Sequence, residues 1–388
     1  FVSELATQLA LLVAEKSDVQ SALNYLFVAY QANPYNQLAY TKFQELQNSR
    51  GETLPPEAKI LHQRNMLTVN PYDLDTAIRY GDMLQQVQIY DVAAKAYEYA
   101  AELYHYLYPG KALPDEILHP WLLSCYNADR LETKCLAVAE AHRNPKRFNL
   151  LLESVAGKTL IRLEQVEKGK RVLETAAQKA ESLISAGQSS VVYPEYLAWF
   201  NSFVAEQPEK ALAWSNQAYQ DDPNRPGVEA IFAYALAANG QNDLAQKYAE
   251  PQKDTDQIAL LTMAIIQLSN EQKQEALDSL KATVEMAPET FVAHKAIELL
   301  KEQGSDYIPS LSPESLQEVL QQEYKFGSTP EFTEPEKRFS AKLLFNGSDF
   351  LYGADFPARL VIENTSSEPL IISDEGLLSG RLRVDAVL

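Results

Sequence analysis

Residues 74–105 read LDTAIRYGDMLQQVQIYDVAAKAYEYAAELYH. A short polar turn joins two amphipathic stretches, and the second carries Ala93, Tyr97 and Ala100. Offsets of four and seven put these three on one helical face, where the alanines let a neighbouring helix approach and the tyrosine fills the space beyond. The pattern recurs on both sides. Ala22, Leu26 and Ala29 precede it, and Gly169, Leu173 and Ala176 follow it with glycine in the first slot. Fainter copies stand at Ala211, Ser215 and Ala218, at Ala245 and Ala249, and at Ala276, Leu280 and Thr283. Hairpins stacked through small residues predict a mostly α fold that presents a surface and has no built-in catalytic group.

The period narrows the kind of stack. The turn motifs Asn33-Pro34-Tyr35-Asn36 and Asn70-Pro71-Tyr72-Asp73 lie 37 residues apart, Ala211 and Ala245 lie 34 apart, and Ala245 and Ala276 lie 31 apart. One tetratricopeptide repeat is 34 residues long. In residues 74–105, Ala77, Tyr80, Gly81 and Leu84 match the first-helix pattern of that repeat, and Ala93, Tyr97 and Ala100 match the second. Residues 226–251 repeat the match with Phe232, Ala233, Leu236, Gly240 and Ala245. The chain thus resembles the tetratricopeptide repeat (TPR) family over about residues 3–307, with concordance across six units. The resemblance implies an α-α superhelix, a solenoid whose concave groove binds a protein or peptide. Residues 37–71 depart from the pattern at Lys59, and residues 112–149 match only through helix length, turn position and Cys135. Both are expected to be divergent repeats, because a solenoid must be continuous to bury each unit's face.

In this family the first helix of each unit faces the groove. Transferring that register puts Tyr193, Tyr196, Phe200 and Phe203 there in one unit and Tyr234 in the next, followed by Ile258, Leu261, Ile265 and Leu268. Aromatic anchors in a concave surface are common interface hot spots. The same residues could instead be core, covered by the terminal helix or by the segment that follows it. Nearer the N-terminus the equivalent places are polar, with Asp75, Asp82, Gln85 and Gln86.

Beyond the array, residues 308–335 read as one more helix and a linker. Ser312 caps that helix, Pro313 opens it, and Leu316, Val319 and Leu320 form its stripe. From residue 336 the period changes to short strands at Ser340–Leu344, Ala358–Ile362, Leu370–Ser373 and Leu382–Leu388. These resemble the opening strands of an immunoglobulin-like β-sandwich, in style only. The chain stops inside the last, so the expectation is an incomplete β domain that continues in the natural protein or self-associates through its open edge.

Of the 388 residues, 34 are basic and 53 acidic, a net charge of −19 that disfavours nucleic acid and suits a basic or neutral protein partner. No apolar run of 18 residues occurs, so no membrane-spanning helix is expected. The five histidines are scattered without a His-Glu-x-x-His pair, and no nucleophile elbow or phosphate-cradling glycine loop occurs. No cofactor, metal or catalytic residue is assigned. Cys125 and Cys135 flank a predicted turn and are either a disulfide pair or two buried small side chains. The expectation is a non-enzymatic protein-interaction scaffold. The alternative is the noncatalytic helical portion of a larger secreted or envelope enzyme, and the compartment stays open.

Overall fold

A computed structural model describes residues 1–144, 147–188, 191–324, 327–345, 358–366 and 368–371. Its first six helices are α1 (Val2–Glu15), α2 (Val19–Ala32), α3 (Gln37–Ser49), α4 (Pro56–Val69), α5 (Leu74–Gln86) and α6 (Tyr90–Leu107). The next six are α7 (Asp115–Asn127), α8 (Glu132–His142), α9 (Leu150–Arg162), α10 (Val166–Ser185), α11 (Pro194–Phe203) and α12 (Pro208–Asp221). Then come α13 (Val228–Ala238), α14 (Asn242–Ala249), α15 (Gln257–Ser269), α16 (Lys273–Met286) and α17 (Phe291–Glu302). Helices α18 (Pro313–Glu323) and α19 (Pro335–Arg338) and strands β1 (Phe339–Phe345) and β2 (Ala358–Asn364) close the described part. Two compact units divide these elements. One comprises residues 1–83, 95–111 and 316–388, the other residues 84–94 and 112–315, so α5, α6 and α18 give residues to both.

Helices α1 to α16 form eight hairpins, and the turn inside each hairpin is made the same way. A residue of positive φ sits there every time: Ser17, Gly51, Gln88, Arg130, Glu164, Glu206, Gly240 and Glu271. Successive intervals are 34, 37, 42, 34, 42, 34 and 31 residues, which is the repeat written in backbone conformation. Between hairpins the junctions vary: Gly110, Gly187 and Gly227 take positive φ at three of them, and side-chain caps serve at others. Asn36 accepts from the amide of Ala39 at 3.0 Å, and Asn33 accepts from the amide of Tyr35 at 3.1 Å. Asp256 and Thr290 cap α15 and α17 in the same manner.

The small-large-small residues do what their spacing implies. Ala22, Leu26 and Ala29, Ala93, Tyr97 and Ala100, and Ala276, Leu280 and Thr283 are all buried. Where glycine takes the small slot, backbones touch: a Cβ on Gly169 would lie 2.6 Å from the Gly157 carbonyl oxygen and 2.6 Å from Ile161 Cγ1. Helices α9 and α10 pack through that contact. Gly81 of α5 likewise faces the Tyr97 ring of α6, which a Cβ would approach to 2.8 Å. The divergent stretches around Lys59 and Cys135 are hairpins like the rest. Cys125 and Cys135 are both buried, and burial pushes the Cys135 thiol up to about 11, as expected of packing side chains.

Of the C-terminal stretch expected to open a β-sandwich, the described residues form one pair of strands. Helix α18 forms as expected, with Leu316 and Leu320 buried. Beyond it, β1 and β2 pair antiparallel from Phe339 opposite Asn364 to Phe345 opposite Ala358, a two-stranded sheet. Leu370 and Ile371 are not in a strand, and Leu382–Leu388 lies outside the described residues. Among the described residues no helix is long and apolar enough to cross a membrane.

Candidate interaction surfaces

Three of the five aromatic residues read as groove residues are core. Phe200 is 1% exposed, and Phe203 and Tyr234 are 5% exposed. The reason is that α11 is covered at once by α9, α10, α12, α13 and α17, which leaves little of its circumference open. Phe203 packs on Tyr234 at 4.5 Å between ring centroids. Leu261 is buried, and Ile258, Ile265 and Leu268 are half-buried. The concave exposure expected of Phe200, Phe203 and Tyr234 is therefore corrected to a packing role.

The terminal helix α17 supplies part of that cover. Phe291 meets Tyr126 of α7 at 5.3 Å and Trp199 of α11 at 5.9 Å. Arg162 of α9 lies over the Tyr126 ring at 4.1 Å. Asn127 donates to the carbonyls of Leu123 and Glu289, so its side-chain oxygen is the atom left to accept from His294 Nε2 at 2.7 Å. Burial and the nearby Arg162 and Lys158 hold His294 down at about 4, which keeps the ring neutral and suits that donation.

Tyr193 and Tyr196 are the part of the stripe that stays accessible. Tyr196 is 51% exposed and Tyr193 half-buried, with their rings edge to face at 5.7 Å. Tyr193 is the N-cap of α11 and Pro194 its first residue, which fixes where the helix starts. The Arg225 guanidinium stacks on Tyr193 at 4.2 Å and donates to both carboxylate oxygens of Glu195, at 2.9 and 3.1 Å. The rim of aromatic side chains is thus clamped from behind.

Tyr196 borders a cavity of about 390 Å³ formed where α7, α9 and α11 begin. Phe148, Leu151, Val191 and Trp199 make its apolar walls, and Asp115, His119 and Asn149 its polar edge. That edge is ordered internally. Arg147 donates to Asp115 at 2.6 Å, and Asn149 donates to His119 Nε2 at 2.7 Å while its oxygen caps Leu152. Burial lowers His119 and favours the neutral ring, and the Asn149 amide donating to Nε2 leaves Nδ1 to carry that ring's proton. Sequence reading missed Asp115, Phe148 and Val191 because they precede or open their helices, and His119 of α7 because a lone histidine makes no stripe.

The polar residues Asp75, Asp82 and Gln86 are exposed, but two of them are engaged by the fold. Asp82 accepts from the Tyr97 hydroxyl at 2.5 Å, and Gln86 donates to the Glu285 carbonyl at 2.6 Å. A separate cavity of about 450 Å³ in the first unit is lined by Tyr40, Lys59, His62, Asp73 and Arg79 among others, and Asp75, Asp82, Gln85 and Gln86 are not in its lining. His62 lies flat on Tyr40, ring centroids 3.3 Å apart, and burial holds it at about 4.

No family model and no curated protein matches the chain. Among solved structures it is similar to a tetratricopeptide repeat protein from Parabacteroides merdae, at 15% identity and TM-score 0.36, covering 77% of this chain and 99% of that one. It is also similar to the human IFIT1 dimer with m7Gppp-AAAA, at 14% identity and TM-score 0.36, covering 81% of this chain and 80% of that one. A third is the P58(IPK) TPR domain, at 12% identity and TM-score 0.21, covering 78% of this chain and 99% of that one. The fold is TPR-like. That statement rests on the chain's own hairpins, whose left-handed turn residues recur 31 to 42 residues apart, three times at the 34 of a TPR.

Proposed function

We propose that this chain is a noncatalytic interaction scaffold that binds a protein segment through an apolar side chain inserted beside Tyr196. The carrying observation is the cavity at the start of α7, α9 and α11, with Tyr196 standing half out of it. An aromatic ring in that position loses little entropy on binding and shields the inserted group from water, which is how interface anchors work. Asp115 is already neutralised by Arg147, so the polar edge offers orientation by hydrogen bonds more than a charge to be matched. The net charge of −19 favours a neutral or basic segment.

The test is selection of peptides from a random display library on the immobilised full chain. Enriched peptides should share one bulky apolar residue. Their affinity should fall at least about tenfold for Tyr196→Ala, with thermal unfolding unchanged, in keeping with a hot-spot truncation. Equal affinity for Tyr196→Ala and the unaltered chain would refute this site.

A further inference from the structure

In the first unit, residues 327–334 cross the helices as neither helix nor strand. They are held by side chains of the array reaching their main chain. Arg64 Nε and the Tyr80 hydroxyl both donate to the Ser328 carbonyl, at 3.0 and 2.6 Å. The Tyr72 hydroxyl donates to the Thr333 carbonyl at 2.8 Å. Between these two clamps Pro330 is buried, and Phe332 sits among Tyr72, Tyr99 and Tyr106 at 6.4, 5.9 and 5.8 Å. The Tyr99 hydroxyl is itself tied to the Pro71 carbonyl at 2.5 Å, so this wall is fixed by the α4–α5 turn.

Main-chain clamps at both ends and one aromatic pocket between them are the way an extended peptide is bound by a protein surface. We infer that the tyrosine-walled groove of α4, α5 and α6 is a second docking site, for an extended segment with a Pro-x-Phe core. The chain keeps this site filled with its own Pro330-Glu331-Phe332. The occupant chemistry is argued from that seated segment: the ring cluster selects Phe, the fixed φ of proline pre-sets the extended approach, and Arg64 takes a carbonyl whatever residue bears it. The groove is separate from the Tyr196 cavity and stands without it.

Tethering sets how the site behaves. The segment follows directly on Tyr324, whose hydroxyl is bonded to the Leu61 carbonyl and to Asn65 of α4, so it competes at an effective concentration on the order of millimolar and a partner peptide of micromolar affinity barely enters the unaltered chain. Weakening the internal segment uncovers the site, and the apparent affinity rises by the fraction of chains set open.

The experiment uses the full chain, unaltered and with Phe332→Ala, and a fluorescent peptide of residues 327–335, GSTPEFTEP. The expected result is binding to Phe332→Ala at least about tenfold tighter than to the unaltered chain. Replacing the peptide's Phe by Ala should abolish it, and adding Tyr72→Phe and Tyr80→Phe to the Phe332→Ala chain should weaken it again. A folded Phe332→Ala chain that ignores the peptide, or does not distinguish it from the Phe-to-Ala peptide, overturns the inference. Should Phe332→Ala not fold, Phe332→Leu takes its place. That milder chain should bind the peptide more tightly than the unaltered chain does, and equal binding overturns the inference.

Discussion

Gly169→Ala is the sharpest test of how the hairpins pack. In an open helix this change would stabilise by about 0.8–1.0 kcal/mol. Here the added Cβ meets the Gly157 carbonyl oxygen and Ile161 Cγ1 at 2.6 Å and the Ile161 amide nitrogen at 3.1 Å. Two of those three atoms are backbone, which cannot rotate aside, so α9 and α10 must move apart. Forcing extra volume into a close-packed contact costs about 1–3 kcal/mol. The propensity gain offsets part of this, leaving a net loss of about 0–2 kcal/mol. For a unit of this size that is a fall in melting temperature of up to roughly 8 °C. Differential scanning calorimetry at pH 7 measures it. Gly157→Ala is the companion, since its Cβ meets mainly the Leu173 side chain, which can shift, and its loss should be smaller. A Gly169→Ala chain more stable than the unaltered one by the full propensity gain of about 0.8–1.0 kcal/mol would refute the backbone contact.

Other expectations follow from the same structure. Glu271→Gly should stabilise by about 1 kcal/mol in urea unfolding, because Glu271 holds φ at 59° in a hairpin turn and pays the left-handed penalty that glycine does not. Removing one partner of the buried Arg64–Glu368 pair, at 2.8 Å, by Glu368→Ala should cost about 3–5 kcal/mol, because the guanidinium is left buried without its carboxylate; a change under about 1 kcal/mol would show the pair is solvated. His62 and His294 are held at about 4 when folded, below the ordinary 6.5, so the unfolded chain binds more protons between those values. Stability should therefore be full above pH 6.5 and decline as pH falls toward 4, by about 3 kcal/mol for each ring. Urea midpoints across that range measure the decline, and His62→Phe should flatten it.

The array was legible because its packing chemistry is local. Ala93, Tyr97 and Ala100 need only their own spacing to announce a buried face, and they are buried. The turn residues were not legible: Gln88, Arg130, Glu164 and Glu206 occupy a conformation that glycine would signal, and only Gly51 and Gly240 do so among the eight hairpins. Helix α4 hid its partner for another reason. His62, Gln63, Arg64, Asn65 and Thr68 are polar and buried, a combination with no amphipathic signature, because what covers Arg64 is Ser328 and Glu368 far along the chain. The aromatic stripe of α11 gave a face but not its occupancy. Helical spacing cannot say that α13 and α17 close over Phe203 while Tyr196 stays half out.

The most direct measurement for the scaffold reading is hydroxyl-radical footprinting of the full chain with and without a library-selected peptide. Tyr196 is 51% exposed and should lose most of its oxidation on binding, together with Val191, which is 38% exposed. Tyr25 and Tyr108, at 39% and 41%, lie away from the cavity lining and should be oxidised equally in both states. Undiminished oxidation of Tyr196 with peptide bound, and protection appearing elsewhere, would contradict the claim that the chain takes its partner at the mouth of α7, α9 and α11.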